Sequence, residues 1–208
     1  MSGTFPTTGF TAMELKSNNR VRLTESVSGK TQRIQSGGQF WSFKLKSPPL
    51  ERSEFNAIYS FVVQQNGQAE AFTVVPPVIS NTTGTMAGTM TVSSVSSADP
   101  LMNVSAGSNA VGVVEDSTAE GTLKKGDLIK FSNHDKVYMV TEDFTLSNDS
   151  SVQPLKFYPP LTTSVVGGTT TITYNSVPFR VFFNTDEVSY ELLNDGYYRY
   201  EIDVREEI

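Results

Sequence analysis

The sequence predicts a mainly β protein: a β-sandwich domain carrying one α-helix, with a small β-barrel domain inserted into it. Three observations predict this. Thirteen Phe and eight Tyr stand among abundant Thr, Val and Ser, a composition suited to pleated, half-buried surfaces. Helical spacing is confined to one stretch, Glu51 to Gly67. The strongest alternating runs lie near Trp41 and at the C-terminus, with a middle of different composition between them.

The first residues, Met1 to Thr11, are uncharged and rich in Gly, Thr and Pro, and read as an arm that becomes ordered only against something else. In Asn19 to Glu25, Val21 and Leu23 alternate with Arg20, Arg22 and Thr24, the period of a strand. Ser28-Gly29-Lys30 turns it into a second strand, Thr31 to Gln35, and Ser36-Gly37-Gly38 turns again into the Trp41 strand. The expectation is an antiparallel meander. Trp41, Phe43 and Leu45 alternate with Ser42 and Lys44, giving one dry and one wet face. Pro48-Pro49 then forces a turn. Phe55, Ile58, Tyr59 and Val62 follow helical spacing, Glu51 and Glu54 sit where negative charge suits a helix start, and Gly67 is placed to cap its end. Ala71 to Val75 is the next strand, stopped by Pro76-Pro77.

From Ala71 to Ala98 no side chain is charged. Small polar and apolar residues there read as strand within loops around Met90-Thr91-Val92 and Val95, and Asn103 to Val114 continues in the same style. The clearest hairpin is Gly126 to Phe131, a turn at Ser132 to Asp135, and Lys136 to Glu142, with Leu128 and Lys130 set against Val137, Met139 and Thr141. Leu155 to Pro159 and Thr169 to Tyr174 are further strands. Short strands of this kind between residues 78 and 176 predict a barrel of the oligonucleotide/oligosaccharide-binding (OB) type.

Three strong strands close the chain: Phe179 to Phe183, Val188 to Leu193, and Tyr197 to Val204. In the last, Tyr198, Tyr200, Ile202 and Val204 share a face opposite Arg199, Glu201, Asp203 and Arg205. Their expected partner is the Trp41 strand. The domains are therefore drawn as 1–76 plus 177–208 for the sandwich and 77–176 for the inserted barrel.

Chemistry is sparse. There is no cysteine, so disulfides and thiolate metal sites are excluded. The single histidine, His134, lies in the turn beside Ser132 and Asp135. Neighbours in a tight turn do not form a nucleophile, base and orienter, so a solvated polar turn is expected. Asp186, Glu187, Glu191, Asp195, Glu201, Asp203, Glu206 and Glu207 could in principle supply a glycosidase pair, but their placement is what any soluble sheet shows. No catalytic, cofactor-binding or metal residues are assigned, and no cofactor is expected. A net charge of −6 argues against gripping nucleic acid by its phosphates, and Lys124, Lys125, Lys130, Lys136 and Lys156 are offset by nearby acids. The N-terminus lacks the features of a secretory signal, and no apolar run is long enough to span a bilayer, so membrane insertion is not expected. Saccharide binding is the competing reading, with Tyr138, Phe157, Tyr158 and Tyr174 as the barrel's aromatics.

The order of Trp41 strand, Pro48-Pro49, aromatic-faced helix, Phe72 to Pro77, Gly126-Asp-Leu-Ile-Lys130, Lys136-Val-Tyr-Met-Val140, Phe157-Tyr-Pro159, Pro178-Phe-Arg180 and Ile202-Asp-Val-Arg-Glu206 resembles the distal tail proteins of long non-contractile (siphovirus) phage tails, the type with an inserted OB-fold domain. The resemblance implies a non-enzymatic structural protein of the virion's tail tip or baseplate, made in the host cytoplasm. It implies a hexameric ring of this chain that lets DNA pass, with the tail tube protein and the tail-tip or baseplate hub protein as partners. A host-surface saccharide is the further partner it leaves open. The uncharged N-terminal arm and the charge-free stretch, with Thr85 and Thr91 on it, are the expected subunit contacts, because small polar residues lose little on desolvation.

Overall fold

The structure, a computed structural model, describes residues 3–6, 10–35, 37–93, 104–114, 119–147 and 152–208. In chain order its elements are β1 (Ala12–Asn18), β2 (Val21–Glu25), β3 (Thr31–Gln35), β4 (Phe40–Lys46), α1 (Arg52–Gln64), β5 (Phe72–Val74), β6 (Met90–Val92), β7 (Ala110–Val114), β8 (Gly121–Leu123), β9 (Leu128–Phe131), β10 (Val137–Val140), β11 (Phe144–Leu146), β12 (Gln153–Tyr158), β13 (Thr171–Thr173), β14 (Phe179–Phe183), β15 (Tyr190–Leu192) and β16 (Tyr198–Glu206). The mainly β class, the one α-helix and the closed barrel are as the sequence predicts. The chain divides into two compact units, Met1–Phe72 with Val181–Ile208, and Thr73–Arg180.

The first unit is built on a sheet of order β1-β4-β16-β14-β5, with β15 added alongside β16. Alternation explains why its central strands are central. In β4, Trp41, Phe43 and Leu45 are buried, and in β16, Tyr200, Ile202, Val204 and Glu206 are buried while Arg199 and Glu201 face water. The two strands pair antiparallel, Val204 opposite Phe43 and Ile202 opposite Leu45, so their apolar rows coincide. Helix α1 buries Phe55, Ile58 and Val62, with Tyr59 half-buried. The Glu54 side chain accepts a hydrogen bond from the Glu51 N–H at 3.2 Å, satisfying one of the amides the helix start leaves open.

Three sequence expectations are corrected here. The Trp41 strand is not the third strand of a meander: β4 pairs with β1 and β16, while β2 and β3 pair only with each other. The strand that reading overlooked is β1, whose Met13 and Leu15 are half-buried. The strands expected at β2 and β3 form, and every residue of both is exposed. The N-terminal arm is also not waiting for a partner along its whole length, because Phe5 is buried against Phe10, Phe61, Phe72 and Tyr200. Finally, α1 ends at Gln65, whose N–H donates to the Val62 carbonyl, and Asn66 and Gly67 then take positive φ. The turn is made two residues before the glycine is finished with it.

The second unit is a closed barrel of order β10-β12-β7-β6-β13-β9, with a separate β8-β11 pair. Its interior is filled by Met90, Val92, Val111, Val113, Ile129, Phe131, Tyr138, Val140, Leu155 and Phe157. Across the β9-β10 ladder Leu128 stands opposite Met139 and Lys130 opposite Val137, the two sets that the sequence opposes, while Ile129 stands opposite Tyr138 on the row that fills the barrel. Val95 and Asn103 lie outside the described residues, and β7, β8 and β11 are strands that residue patterns alone did not mark.

Candidate assembly surface

His134 is held as a structural residue. Its Nδ1 lies 2.7 Å from Asn133 Oδ1 and its Nε2 2.7 Å from the Tyr138 hydroxyl, which also accepts from the Thr162 N–H at 3.1 Å. Burial holds its pKa below the usual histidine value, assisted by Lys130 and opposed by Asp135. Ser132 Oγ accepts instead from the Thr171 N–H, and Asp135 pairs with Lys130 at 2.8 Å. The three residues of the turn therefore point to three different partners. Ser132, Asn133 and Asp135 are exposed, as expected of a solvated turn, while His134 is half-buried with its ring stacked on Phe131.

Three of the acidic residues are likewise taken up by structure. Glu206 is buried and accepts from the Trp41 N–H at 3.0 Å. Glu201 sits between Lys46 and Lys44, at 3.1 and 3.6 Å, and the Lys46 hydrogen bond leads in holding its pKa below the ordinary glutamate value. Asp186 Oδ1 accepts from the Gln68 N–H. Among the described residues no group of three or more His, Cys, Asp or Glu is placed to hold a metal ion.

Of the aromatics considered for a saccharide, Tyr138, Phe157 and Tyr174 are buried, and Tyr158 is 38% exposed. Of its five lysines, Lys136 is buried, while Lys124, Lys130 and Lys156 pair with Asp143, Asp135 and Glu142. The charge-free stretch is mostly internal: Phe72, Val74, Met86, Met90 and Val92 are buried, and β6 is a barrel strand with neighbours on both sides. Thr91 is half-buried there, and Thr85 is exposed with its Oγ1 accepting from the Thr122 N–H. Ser94 to Ala98 lie outside the described residues.

The surface that sequence reasoning passed over is the β2-β3 hairpin. Val21, Leu23, Val27 and Ile34 are exposed on it, alongside Arg22, Lys30 and Arg33. A two-stranded ladder with both faces in water is marginal by itself and presents open edges. The signal was in the sequence: the chain spends apolar residues on a hairpin whose alternate positions are arginines, which gives neither face a dry row. Such exposure is a mark of an interaction surface.

The chain is thus a helix-bearing sheet and a closed barrel, with a hairpin exposed on both faces. Two family models match it in order. Residues 3–79 match the N-terminal part of the A domain of distal tail protein pb9, and residues 87–177 match the B domain of the same protein. The chain belongs to the distal tail protein family of phages. Distal tail protein pb9 of Escherichia phage T5 is 24% identical to it over 197 residues, covering 93% of this chain and 89% of the relative.

Proposed function

We propose that the chain forms a hexameric ring at the distal end of a siphovirus tail tube and joins that tube to the tail-tip or baseplate hub, without enzymatic activity. The observation that carries the reading is the in-order match of both family domains along the chain. The ring is assigned to 1–76 with 177–208, and the barrel at 77–176 is the domain inserted into that sequence. Closed rings are built from two different patches that meet by rotation, and the exposed β2-β3 hairpin supplies one such patch. DNA passes through the ring, and the acidic excess of −6 keeps phosphates from adhering to its wall.

Electron microscopy of tailed particles decorated with an antibody against this chain tests the proposal. Label confined to the distal end of the tube is expected, and label absent from intact and gently disrupted tails would remove the reading. The saccharide reading retains one exposed barrel aromatic, Tyr158, and a glycan-binding screen with a Tyr158→Ala control decides it.

A further inference from the structure

Two exposed segments of the first unit carry opposite charge. On the β2-β3 hairpin, Arg22, Lys30 and Arg33 make no ion pair among the described residues, and Val21, Leu23 and Ile34 are 51%, 65% and 58% exposed. Residues 184–197 hold Asp186, Glu187, Glu191 and Asp195 and no Lys or Arg. Glu187, Glu191 and Asp195 make no ion pair among the described residues either, and Tyr190, Leu192 and Tyr197 are 49%, 60% and 42% exposed. Strand β15 runs through this acidic segment and pairs with β16 alone, which leaves its other edge open. A groove of about 330 Å³ lies beside it, lined by Ser189, Tyr190, Glu191 and Arg199 among others.

We propose that these are the two halves of one contact between copies of this chain: the basic hairpin of one copy docks on β15 and its acidic flanks in the next. The inference rests on the ring reading and says which surfaces close it. The patches differ, so the contact is head-to-tail and generates a ring when its rotation closes. Leu23 stands directly across the ladder from Arg33 and Arg22 across from Ile34, so each face of the hairpin carries an apolar anchor together with a cation. Tyr190 and Leu192 share one face of β15 and Glu191 the other, so where the first two meet Leu23, Glu191 meets Arg22 on the hairpin's opposite face. Open strand edges on both sides allow main-chain pairing as well. Exposed ion pairs are individually weak, but a hairpin whose three cations outnumber its one acid, Glu25, facing a segment of uniformly negative sign fixes orientation and rejects the reversed register.

The chain has no native cysteine, so an engineered pair reports the contact without background. Tailed particles are assembled with the Leu23→Cys/Leu192→Cys chain, checked for antibody label at the distal end, and oxidised. The expected result is a ladder of disulfide-linked multimers ending in one largest species, absent from each single variant and from Leu23→Cys/Val166→Cys, whose second cysteine sits on the exposed surface of the barrel. Distal label without the ladder overturns this pairing and leaves the ring standing. Absence of distal label from particles carrying the unmodified chain removes the ring and this contact with it. Charge exchange gives an independent reading: Arg22→Glu loses the label and adding Glu191→Lys restores it. Normal labelling by both single variants, or no recovery in the double one, overturns the pairing.

Discussion

Asp127 fastens the segment before β6 to the barrel. Its carboxylate is buried and accepts from Thr82 Oγ1, the Thr83 N–H and Oγ1, and the Lys124 N–H. Burial by itself raises its pKa, but these four donors together outweigh burial and hold it below the ordinary aspartate value. A carboxyl with a depressed folded pKa contributes stability above its unfolded value, about 3.9, and that contribution is lost as pH falls through the folded one. Thermal melts should therefore show the barrel weakening below about pH 4. Asp127→Asn should remove that dependence and cost about 1–3 kcal/mol at neutral pH, because its amide turns donors toward donors. Glycine is equally constrained nearby. Gly121 has φ +119°, and a Cβ on it would stand 2.5 Å from the Thr85 carbonyl oxygen; one on Gly84 would stand 1.8 Å from that of Thr122. Gly121→Ala should cost about 1–3 kcal/mol in urea unfolding, and Gly84→Ala at least as much, since backbone must move.

At the scale of elements, helix and hairpin make opposite predictions. Phe55 is buried in α1 and stacks on Tyr59 and Tyr198 at centroid distances of 5.4 and 4.6 Å. Phe55→Ala should cost about 3–5 kcal/mol, against less than about 0.5 kcal/mol for exposed Val63→Ala on the same helix. Replacing Val21–Gln35 with a short turn should leave the melting of the purified chain nearly unchanged, since no residue of β2 or β3 is buried, while abolishing distal label on tails. Loss of both would place the hairpin in the core's support rather than at an interface. Helix α1 was legible because one face repeats apolar residues over several turns. Strand β1 was missed because Met13 and Leu15 sit between charged neighbours in a short run, and pairing with β4 supplies half of their burial.

In the whole molecule, each unit has its own apolar interior, one between the helix and the β4-β16 sheet and one inside the barrel. Separate cores predict separable unfolding: calorimetry of the full chain should resolve two transitions, with Asp127→Asn lowering only that of the barrel. A single transition displaced as a whole by that substitution would show the two cores to be one cooperative unit.

The sequence by itself determined the class of the protein, because alternation in β4 and β16, the spacing in α1 and the order of short strands after Pro77 depend only on which neighbours in the chain are apolar. Only the tertiary structure decided where the strands pair. Two strands with the same alternating pattern, β2 and β4, end at opposite fates, one exposed on both faces and one with its apolar row at the centre of a sheet. A period of two says that a strand has two faces. What covers them depends on partners distant in the chain, and so do the exposure of the β2-β3 hairpin and the pairing of β15 with β16.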